Sequence, residues 1–316
     1  MLARLLSAPL LIAVIAIGMG SGIDALVKGI APGAGLHHLL AWRYLFGALI
    51  ALALFRAQKR PKPSGEAIRF HTLRGLIQLG TAATFFYALM QLSLAEATII
   101  GFTAALMVPF VARVLLAEAV TPLALAATVV GFAGAALAIS GTPEQASADP
   151  ERVLGIISCF IAAFLYALVL VMLRMRALHE DATTIAMFTN LVPAIALLPI
   201  AIGFPLIAAL PVSVAGVSAP ALGDIPLFLM FGIFGYSVWY LMTLAYARAP
   251  AQRLAPLEYT ALIWSALFGM VFFSETPGWR LWAGAAVIIA ACLIVAFESR
   301  FQTRKQARQP ASDLPD

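Results

Sequence analysis

Charged side chains are scarce in this sequence of 316 residues, and their scarcity excludes most soluble folds. Only 11% of the residues are charged and 62% are hydrophobic, with a mean hydropathy of +0.97, whereas soluble domains carry about 25% charged residues. A water-soluble fold could not bury this much apolar surface. The composition therefore predicts an integral membrane protein that is surrounded by a lipid bilayer and has no separate soluble domain.

Residue types that catalyse reactions or bind metals are also few. The sequence has two cysteines and four histidines, and no His-Glu-x-x-His zinc motif occurs in it. Cys159 and Cys292 fall inside separate apolar stretches without the spacing of metal ligands, so we expect packing roles for both and neither a metal nor a cofactor. An intramembrane enzyme that acts on lipid or peptide is the rival class, but the sequence shows no activated nucleophile to support it.

The sequence does contain ten apolar stretches that are long enough to cross a bilayer. A helix rises about 1.5 Å per residue, so roughly 20 apolar residues span the hydrocarbon core. The predicted fold class is therefore an all-α integral membrane protein with ten transmembrane helices. The predicted spans are Pro9–Val27, Leu36–Phe55, Phe70–Gln91, Ala95–Leu116, Pro122–Ser140, Val153–Leu173, Thr183–Phe204, Ile225–Ala247, Ala251–Phe273 and Gly278–Phe297.

The basic residues are distributed unevenly between these spans. If the N-terminus is cytoplasmic, fifteen basic residues fall on the cytoplasmic side and three fall outside. By the positive-inside rule, this bias predicts that both termini are cytoplasmic. Because the cations follow the topology and form no single patch, we expect no nucleic acid partner. The cytoplasmic set is Arg4, Arg56, Lys59, Arg60, Lys62, Arg69, Arg74, Arg174, Arg176, Arg248, Arg253, Arg300, Arg304, Lys305 and Arg308; the outer set is Lys28, Arg152 and Arg280.

The ten spans form two runs of five with similar sequence. Because five is odd, the second run starts from the opposite side of the membrane, which gives an inverted repeat around one central site. Thr103-Ala104 matches Thr260-Ala261 at an offset of 157 residues, and Lys28 matches Arg174 at an offset of 146. The predicted boundaries are 9–140 for the first repeat, 153–297 for the second repeat and 298–316 for a cytoplasmic tail.

Small residues at four-residue spacing, such as Gly18 and Gly22, are typical of helices that pack closely in membranes. A ten-helix bundle has many internal contacts of this kind, so we expect them to pack within one chain. A homodimer interface is the alternative.

Two ionisable residues mark the outer part of a predicted cavity. A charged group inside a membrane costs several kcal/mol unless it is paired or hydrated, so each one is a candidate for the transport path. Arg43 lies about 10 Å inside the second span, and Asp24 lies near the outer end of the antiparallel first span. Either Arg43 binds an anionic substrate group beside Asp24, or the two form a structural salt bridge.

A third ionisable residue, Glu258, lies seven residues inside the ninth span and precedes Tyr259. Its carboxylate could bind a cationic substrate group or exchange a proton, and the alternative is an ion pair with Arg248 or Arg253. Polar and aromatic residues of other spans, among them Gln78, Phe85 and Tyr240, could contact an apolar part of a metabolite. The alternative for the aromatic side chains is packing or anchoring at the membrane interface.

Short motifs fall at fixed places in the predicted spans. They are Asp24 with Lys28 closing the first span, His37 and Arg43 in the second, His71-Thr-Leu-Arg-Gly75 opening the third, Ala97-Thr98 entering the fourth with Glu118 closing it, and Ala255-Pro-Leu-Glu-Tyr259 entering the ninth with Glu275 closing it. In order and placement they resemble the drug/metabolite transporter superfamily, in its ten-helix EamA-type members. The start of the chain and Leu73-Arg-Gly75 look most like the branch of S-adenosylmethionine uptake transporters, which has riboflavin importers and amino-acid exporters as relatives.

This resemblance implies a secondary active transporter of the bacterial inner membrane that works by alternating access around a central cavity. We expect a small zwitterionic or cationic organic substrate, with S-adenosylmethionine or an amino-acid-like metabolite as examples. A riboflavin- or drug-type substrate is the alternative within the superfamily, and a channel is the alternative outside it. The expected substrate-binding residues are Asp24, Arg43, Gln78, Phe85, Tyr240, Glu258 and Tyr259.

The predicted topology can be tested with single cysteines in a background that lacks Cys159 and Cys292. A cysteine in the 141–152 connector should react with a membrane-impermeant maleimide from outside intact spheroplasts. A cysteine in the 298–316 tail should react only after permeabilisation, because five spans separate the two segments. Reaction of both cysteines from the same side would contradict the inverted repeat.

Overall fold

The computed structural model describes residues 9–117, 120–140, 149–176, 180–201, 223–248 and 257–306, and within these ranges the chain forms helices and short turns without a strand. This confirms the all-α fold class. The helices are α1 (Pro9–Ala34), α2 (Leu36–Ala57), α3 (Gly65–Gln91), α4 (Leu94–Gly101), α5 (Thr103–Leu116), α6 (Pro122–Ile139), α7 (Pro150–Arg176), α8 (Ala182–Ala201), α9 (Ile225–Arg248), α10 (Thr260–Phe273) and α11 (Trp279–Gln306).

The outside of the bundle is apolar, as a membrane protein requires. Six stretches of the described chain are long and apolar enough to cross a bilayer, and three shorter apolar helices accompany them. Large side chains such as Ile263 and Phe272 are about two-thirds exposed, at 65% and 66%. A monomeric soluble protein rarely exposes such a surface, whereas lipid covers it without penalty.

Several helix bounds differ from the predicted spans. α1 continues to Ala34 because the chain turns only at Gly35, which has a φ of 81° that favours glycine. The predicted fourth span is two helices that meet at Phe102. α11 extends to Gln306, into the predicted tail. Residues 141–148, 202–222 and 249–256 contain parts of the predicted connector, the seventh span and the ninth span, and these parts lie outside the described residues.

The packing of the helices confirms the inverted repeat. A Cβ atom added to Gly75 in α3 would lie 2.6 Å from the Val192 Cβ in α8. A Cβ added to Gly232 in α9 would lie 2.6 Å from the Phe46 Cβ in α2. Gly232 follows Gly75 by 157 residues and Val192 follows Phe46 by 146, so the same close contact occurs once in each orientation.

Polar contacts gather at the two opposite ends of the bundle. At one end, which we call the Lys28 face, Lys28 pairs with Glu275 at 3.1 Å and Arg280 donates to the Ser140 carbonyl at 3.0 Å. At the other end, the Arg60 face, Arg60 pairs with Asp181 at 3.0 Å. The Lys28 face holds the three cations of the predicted outer set, since Arg152 begins α7 there.

We expect Gly75→Ala to lower the unfolding temperature of the purified protein in detergent, because the new methyl group must displace α8. Overpacking of this kind typically costs about 1–3 kcal/mol. Gly20→Ala in α1 is the matched control, since no atom lies within 4 Å of its added Cβ. Equal unfolding temperatures of the two variants would contradict the close contact between α3 and α8.

Candidate functional site

A central cavity of about 330 Å³ lies where the two repeats meet. Its walls come from α1, α2, α3, α4, α5, α7 and α9 and from the segment that leads into α10. This volume is at the lower end of the range of small-molecule sites. Six of the expected residues line it: Asp24, Arg43, Gln78, Phe85, Glu258 and Tyr259.

Two tightened turns meet at this cavity, one at Phe102 and one at Tyr259. α4 and α5 meet at Phe102, where the Ala105 N–H donates to the Phe102 carbonyl at 3.1 Å. The Leu262 N–H donates in the same way to the Tyr259 carbonyl at 3.2 Å, 157 residues later. Such tightened turns within a span are typical of functional hinges and of sites near the bilayer midplane. The Phe102 and Tyr259 rings meet edge to face with their centroids 5.3 Å apart.

Arg43 is buried in the wall of the cavity, with 6% of its surface exposed, and its guanidinium is held by aromatic rings. Its Cζ lies 4.5 Å from the centroid of the Tyr44 ring and 5.4 Å from that of the Phe86 ring. α9 passes beside Arg43 at Gly235: a Cβ atom added to Gly235 would lie 3.5 Å from the Arg43 Nε and Nη2. Cation–π contacts are strongest when they are desolvated, as here.

Two of the three guanidinium nitrogens of Arg43 have no acceptor in the described part of the chain. Its Nε and Nη1 are buried without a hydrogen-bond partner, as is the Gln78 Oε1. Although Asp24 lies within electrostatic reach of Arg43, no described carboxylate is within the 4.0 Å of an ion pair with Arg43. Leaving a buried donor unsatisfied costs about 1–3 kcal/mol, and more when it is charged. The cavity is therefore suited to a ligand that carries an acceptor.

Two carboxyl groups, Asp24 and Glu258, also line the cavity. Tyr166 of α7, which also lines the cavity, is within electrostatic reach of both Asp24 and Glu258. The alternative ion-pair partners predicted for Glu258 are Arg248 and Arg253, and the side chains of both lie outside the described part of the chain. The lining thus combines one guanidinium with two carboxyl groups and two phenols, those of Tyr166 and Tyr259.

Tyr240 is the expected site residue that does not line the cavity. Its ring stacks on Tyr236 with the centroids 5.7 Å apart, in a cluster with α2 and α8. Trp239 and Met242 of the same helix line the cavity in its place. Hydropathy does not fix how far a helix is rotated about its axis, so the sequence did not distinguish Tyr240 from Trp239, and a substrate contact of Tyr240 stays a prediction.

Two buried polar clusters were not among the site residues that the sequence predicted. Arg152 donates two hydrogen bonds to the Glu96 carboxylate, one of them at 2.9 Å, and joins α7 to α4 near the Lys28 face. Arg74, counted above among the cytoplasmic cations, is fully buried and donates to Thr189 Oγ1 at 2.7 Å. The sequence signal for both is a charged residue just inside a predicted span.

Comparisons with known proteins agree with this architecture. The sequence profile of the EamA-like transporter family matches residues 6–140 and 153–297. A protein named riboflavin transporter from Brucella anthropi is 28% identical over 80% of this chain and 84% of its own length. A protein named S-adenosylmethionine uptake transporter from Rickettsia felis is 24% identical over 88% of this chain and 89% of its own length.

A solved crystal structure shares the fold, with a TM-score of 0.63 at 21% identity over 93% of this chain and 97% of that one. The two inverted five-helix repeats, the cavity between them and the double match to one family profile lead to the same conclusion: this chain belongs to the EamA-like transporter family, within the drug/metabolite transporters.

Proposed function

We propose that the protein is a secondary active transporter of the bacterial inner membrane that moves a small organic metabolite by alternating access. The observation that carries this proposal is the cavity between two inverted repeats, in which Arg43 offers two buried donors that no described residue accepts. In this proposal, groups of helices drawn from both repeats, 9–140 and 153–297, rock against each other, and exchange or proton coupling drives net flux. The excess of basic residues at the Arg60 face supports cytoplasmic termini, with 298–316 as a cytoplasmic tail.

The substrate we infer carries both an anionic and a cationic group. Arg43 would bind a carboxylate through its planar fork of donors. Asp24 and Glu258 would attract the cationic group, and Phe85 with Tyr259 would contact the uncharged remainder. The substrate in the name of the Rickettsia felis relative, S-adenosylmethionine, has this pattern, since it combines an amino-acid group with a sulfonium and an aromatic base.

A riboflavin-type substrate is the second candidate. The aromatic lining favours it, because Phe85, Phe102, Trp239 and Tyr259 all reach the cavity and could stack on a flat ring system. The name of the Brucella anthropi relative points the same way. The charged lining favours the zwitterion, because a ligand without charge would leave the Arg43 guanidinium without a counter-charge.

Arg43→Lys should weaken binding of a carboxylate-bearing substrate by about tenfold or more, because the lysine keeps the charge but loses the fork of donors. The measurement is a thermal-shift screen of purified protein against S-adenosylmethionine, riboflavin, amino acids and polyamines. A ligand at 100 times its dissociation constant stabilises the parent protein by about 2.7 kcal/mol. Arg280→Lys is the matched control, since Arg280 is exposed at the Lys28 face. An equal shift in Arg43→Lys and the parent would assign Arg43 a structural role.

Glu258→Gln should reduce concentrative uptake and flatten its pH profile, because glutamine keeps the shape of the side chain but neither a charge nor an exchangeable proton. The measurement is uptake into proteoliposomes with and without an imposed pH gradient, together with counterflow, which does not need a driving force. Loss of uptake with counterflow retained would assign Glu258 to coupling. An unchanged pH profile would remove Glu258 from the mechanism.

Saturable flux and counterflow also distinguish the proposed transporter from the other classes. A channel would support neither. An intramembrane enzyme would convert lipid or peptide in detergent without any membrane gradient. The names of the family and of the relatives indicate transporters.

A further inference from the structure

An ion pair between Lys28 and Glu275 joins the two repeats at the Lys28 face. The Lys28 ammonium lies 3.1 Å from the Glu275 carboxylate, and it also donates to the carbonyls of Leu89, at 3.2 Å, and Leu92. The Glu275 carboxylate accepts from the backbone N–H of Leu94 at 3.0 Å. Lys28 and the connection between α3 and α4 belong to the first repeat, whereas Glu275 follows α10 in the second. The Lys28–Glu275 contact therefore connects the second repeat both to α1 and to the α3–α4 connection.

A layer of apolar side chains lies between this ion pair and the cavity. Each member lies within about two helical turns of a lining residue, on the side toward the Lys28 face. All are 2% exposed or less, so the layer separates the cavity from that face. The layer consists of Val27, Leu89, Leu92, Leu94, Cys159 and Phe231.

The neighbouring ion pair between Glu96 and Arg152 differs in its exposure. Its side chains are 3% and 9% exposed, whereas those of Lys28 and Glu275 are 16% and 14% exposed. Separating a fully buried pair leaves uncompensated charges, which is strongly destabilising, while a partly exposed pair can be hydrated as it separates. Glu96 and Arg152 also join α4 to α7, whereas Lys28 and Glu275 join α1 to the end of α10. Of these two contacts, the Lys28–Glu275 pair is the one suited to open and close.

We propose that the Lys28–Glu275 ion pair is the lock of the Lys28 face: it holds the apolar layer closed and separates when the cavity opens to that side. The proposal rests on the alternating access proposed above. When the pair separates, Lys28 also releases the carbonyls that end α3, and Glu275 releases the N-terminus of α4. One separation thus frees both elements that cover the cavity, and under the proposed topology this face is the outer one.

The native thiol of Cys159 reports whether this face is open, because it is fully buried in the layer, 3.4 Å from the Ala97 carbonyl. We expect Lys28→Gln in a Cys292→Ala background to increase its labelling rate by a membrane-impermeant maleimide about fivefold or more, from the outside of oriented proteoliposomes. Val27→Cys with Cys159→Ala is a second reporter on another helix. Lys28→Arg should keep the slow rate because it retains the charge.

The control is Arg60→Gln, which removes the 3.0 Å ion pair with Asp181 at the opposite face and should leave the labelling rate unchanged. Glu275→Gln can still accept from Leu94, so it isolates the loss of charge, and its combination with Lys28→Gln should label no faster than either single variant. Equal rates in Lys28→Gln and the parent, or an equal increase in Arg60→Gln, would overturn the lock.

The labelling experiment needs no substrate, so it tests the lock independently of the transport proposal. Faster labelling in Lys28→Gln without measurable uptake by the parent would support the lock and contradict the transport proposal. Saturable uptake by the parent with unchanged labelling would do the reverse.

Discussion

Close approach of helix backbones is the contact on which this bundle depends. In lipid, helices gain little by hiding apolar side chains from each other, because the lipid chains are equally apolar. The helices instead meet where a side chain is missing: Gly75 against Val192, Gly232 against Phe46, and Gly134 against the backbone of Gly284. The first two contacts are equivalent in the two repeats, and the third joins the last helix of each. Because these contacts fix the helices around the centre, space is left between them for the cavity.

Hydropathy was sufficient to predict the spans and their inversion, because both depend only on the length and number of apolar stretches. It could not predict the direction in which each helix faces, and so Trp239 lines the cavity where Tyr240 was expected. The break at Phe102 has no proline, and its only signal was the match of Thr103 with Thr260, whose hydroxyls each bond to the carbonyl three residues earlier. Contacts between distant segments, such as Lys28 with Glu275, leave no local signal that identifies the partner.

Three arginines are buried in the described part of the bundle, and their surroundings separate structural from functional roles. Arg152 has a carboxylate partner in Glu96, and Arg74 donates to Thr189 and to the Ile185 carbonyl. Both therefore stabilise contacts between helices. Arg43 has aromatic rings in place of acceptors, although a buried cation gains more from a carboxylate than from a ring. An acceptor that enters from the cavity, as water or as ligand, would therefore stabilise this arrangement.

The repeat symmetry shows why Arg43 is unusual. At the offset of 146 residues that relates α2 to α8, Arg43 corresponds to Thr189, whose hydroxyl accepts a hydrogen bond from Arg74. The second repeat thus places a small acceptor where the first places a cation that has no carboxylate within ion-pair distance among the described residues. Symmetric positions such as Gly75 and Gly232 fix the geometry of the scaffold, since each must fit its partner helix. The cation at position 43 breaks that symmetry at the wall of the cavity, and there it gives a nearly symmetric scaffold a polarity that a substrate can recognise.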